Sequence, residues 1–358
     1  MLQQFPDRRQ RGDLPKQASL IRVMNRAREN IRPKEPKTLD FEVNTEFLED
    51  EFLVGDVQVG EEPHLMFATS EQLQLLQRSR KWYLDGTFKV VRKPFTQLWS
   101  IHAFVREGEC TKQVPLLFVL MSRRRKQDYI AILTKILDIL PEAPAVEAFC
   151  MDFEIGLWQA LREVFPGTSL HGCAFHWAQS IIRHVKEHGL AKTYQDRTTI
   201  HQLISKLLAL PFLPGRDIER AFQRLRDRAM TSSQPVRDLF QYVWDQWLCS
   251  SVWTVDEWSV YKQPVRTNND CEGWHRRLNQ KVGRSTLPFY VLVPLLHHEG
   301  KLVSITVALV SQQAVIRNRR QVYVSMDNRI GDLWDKYDDH DIVCEDFLAQ
   351  VGEIYGRM

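Results

Sequence analysis

The sequence predicts an α/β protein: a mixed sheet flanked by helices, with an all-helical insertion before the last helices of the core. Three observations carry this. Between residues 62 and 189, short runs rich in aromatic and β-branched residues give way to helical periodicities. Three strand-like runs there follow one another with no helix between them. From 190 to 262 the strand pattern is absent and apolar residues recur at i, i+4 and i+7, as at Ile218, Phe222 and Leu225.

The elements follow in order. LMFATS, from Leu65, reads as a short strand and EQLQLLQRS as a short helix. KWYLDGTFKV is a strand, TQLWSIHAFVRE a second, and QVPLLFVLMS a third after a turn at Gly108 and Glu109. DYIAILTKILDIL carries one apolar helix face. AVEAFCMDFE is an apolar strand ending in acids, and IGLWQALREVF is a helix stopped by Pro166-Gly167. SLHGCAF is a buried strand, and HWAQSIIRHVKEHG is a helix ending at Gly189. After the insertion, RTNNDCEGWHRRLNQKV opens a helix and FYVLVPLLHHEGKLVSITVALVSQQAVI continues helical. The expected organisation is an arm over 1–62, a core over 63–189, the insertion over 190–262, the last core helices over 263–310 and a weakly patterned tail over 311–358.

The 358 residues contain 48 Lys+Arg and 45 Asp+Glu, a net charge of +3, and 44% apolar residues. That balance excludes a uniformly basic nucleic-acid coat, and the apolar share excludes global disorder. Residues 1–40 hold ten Lys/Arg and five Asp/Glu, and residues 20–26 fit a short basic helix. Asp40 to Glu62 holds nine acids and no Lys or Arg. A basic arm of this kind fits a nucleic-acid tail, with a solvated surface as the alternative. Cysteines 110, 150, 173, 249, 271 and 344 form no CxxC pair, which favours a reducing compartment. No run reaches the 18 or so apolar residues of a membrane span. A soluble intracellular protein is expected.

In a mixed sheet of order 3-2-1-4-5, the first and fourth predicted strands are neighbours. Asp85, in the first, and Asp152, at the end of the fourth, then converge on one edge, where open α/β sheets bind ligands. A third carboxylate from a helix would complete a hard-oxygen site for Mg²⁺ or Mn²⁺, suited to phosphodiester chemistry. Glu272 is the candidate. Each acid has a structural alternative: Asp85-Gly86 as a hairpin turn, Asp152 as a helix N-cap, Glu272 as the closing residue of a capping box. Glu154 is a competing ligand two residues after Asp152. On the helix of Glu272, His275, Arg276 and Asn279 share its face. Arg266, Arg276, Arg277, Lys281 and Arg284 are candidate phosphate contacts, with a solvated basic helix as the alternative.

Cys173 and His176 form a CxxH pair, half of a four-ligand zinc site, with no second pair at the usual spacing. No GxxxxGK[ST], GxGxxG, HExxH or GxSxG occurs, which argues against P-loop NTPases, dinucleotide enzymes, zincins and α/β-hydrolases.

WYLDGTF, QLWSIHAFV, VPLLFVLMS, the Tyr129 helix, MDFE, HGCAFHWAQSIIR, LLALPFLP and RTNNDCEGWHRRLN occur in an order and spacing that resembles the Mutator-like element (MULE) transposases, particularly the FLYWCH-associated animal members. LPKQASLIRVMNRAR resembles the stretch before the core in that family. The resemblance spans about residues 14–300. It implies a ribonuclease H-like fold and a DDE triad of Asp85, Asp152 and Glu272, with Asp270 as fallback for the third acid. Two Mg²⁺ (or Mn²⁺) ions would be held there, for cutting and joining DNA at transposon ends and target. It implies a nuclear location and a homodimer or higher oligomer on DNA. The family's CxxH motif matches Cys173 and His176, which are taken as site-supporting, without zinc. No FLYWCH- or WRKY-like zinc module is seen before the core and no CxCx…CxH-type module after it, so a truncated copy or catalytic core is expected. Two alternatives remain: a host-adopted, non-catalytic DNA- or protein-binding factor, and a ribonuclease H-like nuclease.

Overall fold

The structure is a computed structural model. It describes residues 31–48, 51–108, 110–195, 199–283, 286–314 and 321–355, together with positions 19, 23, 26, 27 and 29. The basic helix expected over 20–26 lies largely outside the described residues.

Seven strands form one sheet: β1 (Leu53–Val59), β2 (Glu62–Phe67), β3 (Lys81–Thr87), β4 (Gln97–Glu107), β5 (Cys110–Met121), β6 (Ala148–Met151) and β7 (Ser169–Gly172), in the order β1-β2-β5-β4-β3-β6-β7. The expected 3-2-1-4-5 order is corrected by extension. It survives as β5-β4-β3-β6-β7, and the β1-β2 hairpin adds two strands beside β5. β1 falls in the stretch expected as an acidic arm. Its LVGDVQV sequence carries acids on both sides, which mask a strand that only pairing with β2 reveals. The β1, β2, β5, β4 and β3 pairings are antiparallel, whereas β3-β6 and β6-β7 are parallel.

The long apolar run of β5 is explained by covering on both faces. Phe118 and Leu120 join Leu65, Phe67 and Leu98 in one cluster, closed by α10 (Asn269–Val282) and α11 (Phe289–Ser311) through Trp274, Leu278, Leu292 and Leu296. Leu117, Val119 and Met121 point the other way, as the two-residue period requires. They meet α1 (Ser70–Arg78), α2 (Lys126–Ile139), α3 (Ile155–Val164) and α4 (Ala174–Glu187) through Leu76, Tyr129, Ile132, Trp158 and Trp177. α2 starts where Asp128 Oδ2 accepts the backbone N–H of Arg125 at 2.7 Å.

The stretch from 190 to 262 is helical throughout its described elements: α5 (Ala191–Gln195), α6 (Thr199–Leu208), α7 (Gly215–Ala229), α8 (Gln234–Val243) and α9 (Val255–Trp258), with a 3₁₀ turn over Leu210–Phe212 and a π turn over Trp244–Leu248. The last residues are not a bare tail. They form α12 (Gln321–Asp338) and α13 (Cys344–Tyr355). α13 docks so closely that a Cβ on Gly352 would stand 2.9 Å from the Ser205 carbonyl oxygen of α6. Phe347, Leu348 and Val351 supply the buried face. Their spacing is helical, but the acids around them dilute the signal.

Candidate active site

Asp85 lies within β3. The strand continues past it, Gly86 pairing with Trp99 and Thr87 with Leu98, so the hairpin-turn alternative does not hold. Asp85 is only 6% exposed. Its Oδ1 accepts the Gly86 N–H at 2.9 Å, and its Oδ2 lies 3.0 Å from His275 Nδ1. The chain continues from His275 Nε2 to Ser100 Oγ at 3.1 Å, and from Ser100 Oγ to His102 Nε2 at 2.9 Å. With His275 Nδ1–H donating to Asp85, its Nε2 accepts the Ser100 hydroxyl, and His102 Nε2–H donates to Ser100 Oγ; this assignment satisfies all four groups with neutral rings. Burial holds His102 well below its usual pKa, with His275 and Arg277 adding to the effect.

β6 brings up Asp152. The parallel register pairs Lys81 with Ala148, Trp82 with Phe149 and Tyr83 with Cys150. Continued two positions further, past the end of β6, that register brings Asp152 level with Asp85, and the two carboxyls interact electrostatically. Asp152 is the first residue past β6 and does not cap α3; Glu154 is that cap residue, and its side chain makes no cap bond. The loop is held from both ends. The Asp152 carbonyl accepts Trp158 Nε1–H at 2.7 Å. The Phe153 ring lies 4.5 Å from Trp247, 5.3 Å from Trp253 and 5.9 Å from Trp158. Gly172 makes room for it, since a Cβ there would sit 2.2 Å from the Phe153 ring. Burial raises the Asp152 carboxyl, His176 opposes and Asp85 adds to the rise. Glu154 is pushed up to about 7 by burial and by Asp152, against Arg124, whose guanidinium is 3.6 Å away.

Glu272 arrives from a segment far along the chain. α10 begins after Asn268, whose side chain does not cap the helix; its Nδ2 donates to the Leu84 carbonyl at 3.1 Å, tying the helix start to β3 one residue before Asp85. The capping-box alternative for Glu272 is therefore not realised. Burial pushes Glu272 up to about 7, with Asp85 adding and Arg276 opposing. Asp270, the fallback, is half-buried two residues earlier. Cys173, at the start of α4, is fully buried, and its Sγ accepts the Asn268 backbone N–H at 3.2 Å. His176 Nε2 lies 3.8 Å from Glu272 Oε1. The CxxH pair thus meets the third acid.

The basic candidates separate. Arg276, Arg277 and Lys281 are exposed along α10, and Lys281 pairs with Glu299. Arg266 is turned inward. It pairs with Asp327 and lies 5.4 Å from the Trp334 ring, with 12% of its side chain exposed. Arg284 lies outside the described residues.

Sequence reasoning missed Ser100 and His102 and gave His275 only a place on the helix face. A signal existed. Two polar residues two apart in the apolar middle of β4 stand out, and Ser100 is the cross-strand partner of Asp85.

Fold and site together define a mixed α/β protein of nuclease-like architecture, with acids gathered where two adjacent parallel strands end. Residues 81–180 match the family model of the MULE transposase domain. The matched span includes Asp85, Asp152, Cys173 and His176 and stops before Glu272. No curated protein matches the chain. Among the described residues, no helix is long and apolar enough to cross a membrane.

Proposed function

We propose that this chain is the catalytic core of a DDE-type transposase that cuts and joins DNA in the nucleus by two-metal phosphoryl transfer. The observation that carries the reading is the convergence on Asp85, in β3, of two further acids from separate elements: Asp152 from the end of β6 and Glu272 from α10, each within electrostatic reach of it. Acids gathered around one carboxylate in this way repel it, and a divalent cation would offset that repulsion. The donor set fits Mg²⁺ or Mn²⁺, because all three acids offer hard oxygens and Glu272 Oε1 is buried without a hydrogen-bond partner. Bound there, two such ions would activate a water or 3′-hydroxyl and stabilise the leaving oxygen. The protein's own part is positional. His275 holds one oxygen of Asp85, and the Phe153 anchor holds the loop of Asp152. Arg276 and Arg277 offer exposed charge to the phosphates on the helix that carries Glu272.

The test is cleavage of labelled duplex and single-stranded DNA in Mg²⁺ or Mn²⁺, wild type beside Asp152→Asn. Metal-dependent cleavage lost in the variant supports the assignment. Cleavage unchanged in the variant refutes it. Joining of the freed 3′-end to a second DNA distinguishes a transposase from a nuclease of the same fold.

A further inference from the structure

Cys173, His176 and Glu272 offer one sulfur, one ring nitrogen and one carboxylate oxygen, all within 4.8 Å of one another. They come from two segments about a hundred residues apart, joined where α10 starts against α4. We propose that these three side chains form a Zn²⁺ site adjoining the Asp85–Asp152 pair, with Glu272 shared between the two. The site is separate in chemistry from the proposed magnesium centre, and only the sharing of Glu272 rests on that reading.

Four observations support it. The donor set is soft and borderline, thiolate and imidazole with one carboxylate, which selects Zn²⁺ over Mg²⁺. Glu272 Oε1 is a buried atom with no hydrogen-bond partner, a costly state that a bound cation would relieve. The Asn268 N–H donates to Cys173 Sγ, the kind of outer contact that steadies a metal-bound thiolate. Tetrahedral Zn²⁺ with bonds of about 2.0–2.3 Å sets its donors about 3.3–3.8 Å apart. The 3.8 Å between His176 Nε2 and Glu272 Oε1 is already near that. Three protein ligands leave a fourth position for water.

Burial keeps the Cys173 thiol protonated in the metal-free protein, its pKa well above the ordinary value. Binding therefore replaces the S–H bond by a sulfur–zinc bond and releases one proton to solvent.

The experiment loads the chelator-stripped full chain with Co²⁺ as a spectroscopic stand-in for Zn²⁺, and measures zinc in the untreated protein by elemental analysis. One equivalent of zinc is expected, together with a thiolate-to-cobalt charge-transfer band in the near ultraviolet. Cys173→Ser abolishes the band. His176→Gln, at a partly exposed position that spares the core, weakens Zn²⁺ binding by more than the roughly 10–100-fold cost of removing an outer-shell partner. Asp85→Asn keeps the band while losing Mg²⁺-dependent cleavage, so the two sites fail separately. A folded wild-type protein that takes up no Co²⁺ would overturn the site. So would a band that survives Cys173→Ser, or His176→Gln binding Zn²⁺ as tightly as wild type.

Discussion

His275→Ala tests how the site is held together. His275 is 5% exposed and joins Asp85 Oδ2 to Ser100 Oγ. Truncation removes a hydrogen bond to a carboxylate, worth about 1.5–3 kcal/mol, and one of the hydrogen bonds of the buried Ser100 hydroxyl, worth about 1 kcal/mol more, leaving Ser100 with His102. The expected loss is about 2.5–4 kcal/mol. The assay is urea unfolding of metal-free protein, followed by tryptophan emission, in a cycle with Asp85→Asn. If the Asp85 carboxylate is what His275 holds, His275→Ala costs about 1.5–2 kcal/mol less in the Asp85→Asn background, where the acceptor is neutral. Costs equal within about 0.5 kcal/mol in the two backgrounds would refute the reasoning. The effect would then be loss of packing against Trp274 and His102.

Further outcomes are expected elsewhere. Gly172→Ala drives a methyl into the Phe153 ring, costing about 1–3 kcal/mol as overpacking; thermal unfolding and cleavage rate should fall together, and an unchanged rate would separate Phe153 from the placement of Asp152. Arg276→Ala and Arg277→Ala should each reduce the salt dependence of DNA binding by about 0.9 in log–log slope for each phosphate left unneutralised, whereas Arg266→Leu should leave that slope unchanged and lower stability. Glu345 is held at about 2, against its ordinary 4.5, by hydrogen bonds from Arg228 and Lys206. Its depressed value means that its contribution is present above pH 4.5 and lost as pH falls towards 2. Glu345→Gln should therefore flatten the acid limb of a stability–pH curve; at neutral pH it costs at most about 1 kcal/mol, since the pair is largely exposed.

The strands and helices from Lys81 to Glu187 were legible because each buries a face and so carries a clean period. KWYLDGT and QLWSIHAFV are apolar enough to mark strands, and the α2 helix was legible from apolar residues at Ile130, Leu133, Ile136, Leu137 and Leu140, although the face it buries runs through Tyr129, Ile132, Leu133 and Ile136. β1 and α13 were not legible, because acids interrupt their apolar positions and their partners are distant in sequence. Asp85, Asp152 and Glu272 were named from local pattern and resemblance. Their competing roles as turn, cap and capping-box residues are equally local, and only pairing geometry removes them. Gly86 stays in the strand, Glu154 takes the cap position of α3, and the Asn268 side chain goes to Leu84 instead of its own helix.

Residue type and period along the chain determined the α/β class, the helical stretch after residue 190 and the stock of acids available to the site. Tertiary structure decided which of those acids meet. It set Asp85 opposite Asp152 through a parallel register, brought α10 back across the sheet, and thereby placed Glu272 against both Asp85 and the Cys173–His176 pair. It also turned Arg266 inward and left Arg276 and Arg277 outward. The reason is physical: a period records which face a residue buries, whereas contacts between remote segments depend on how whole faces pack, and no local pattern encodes that.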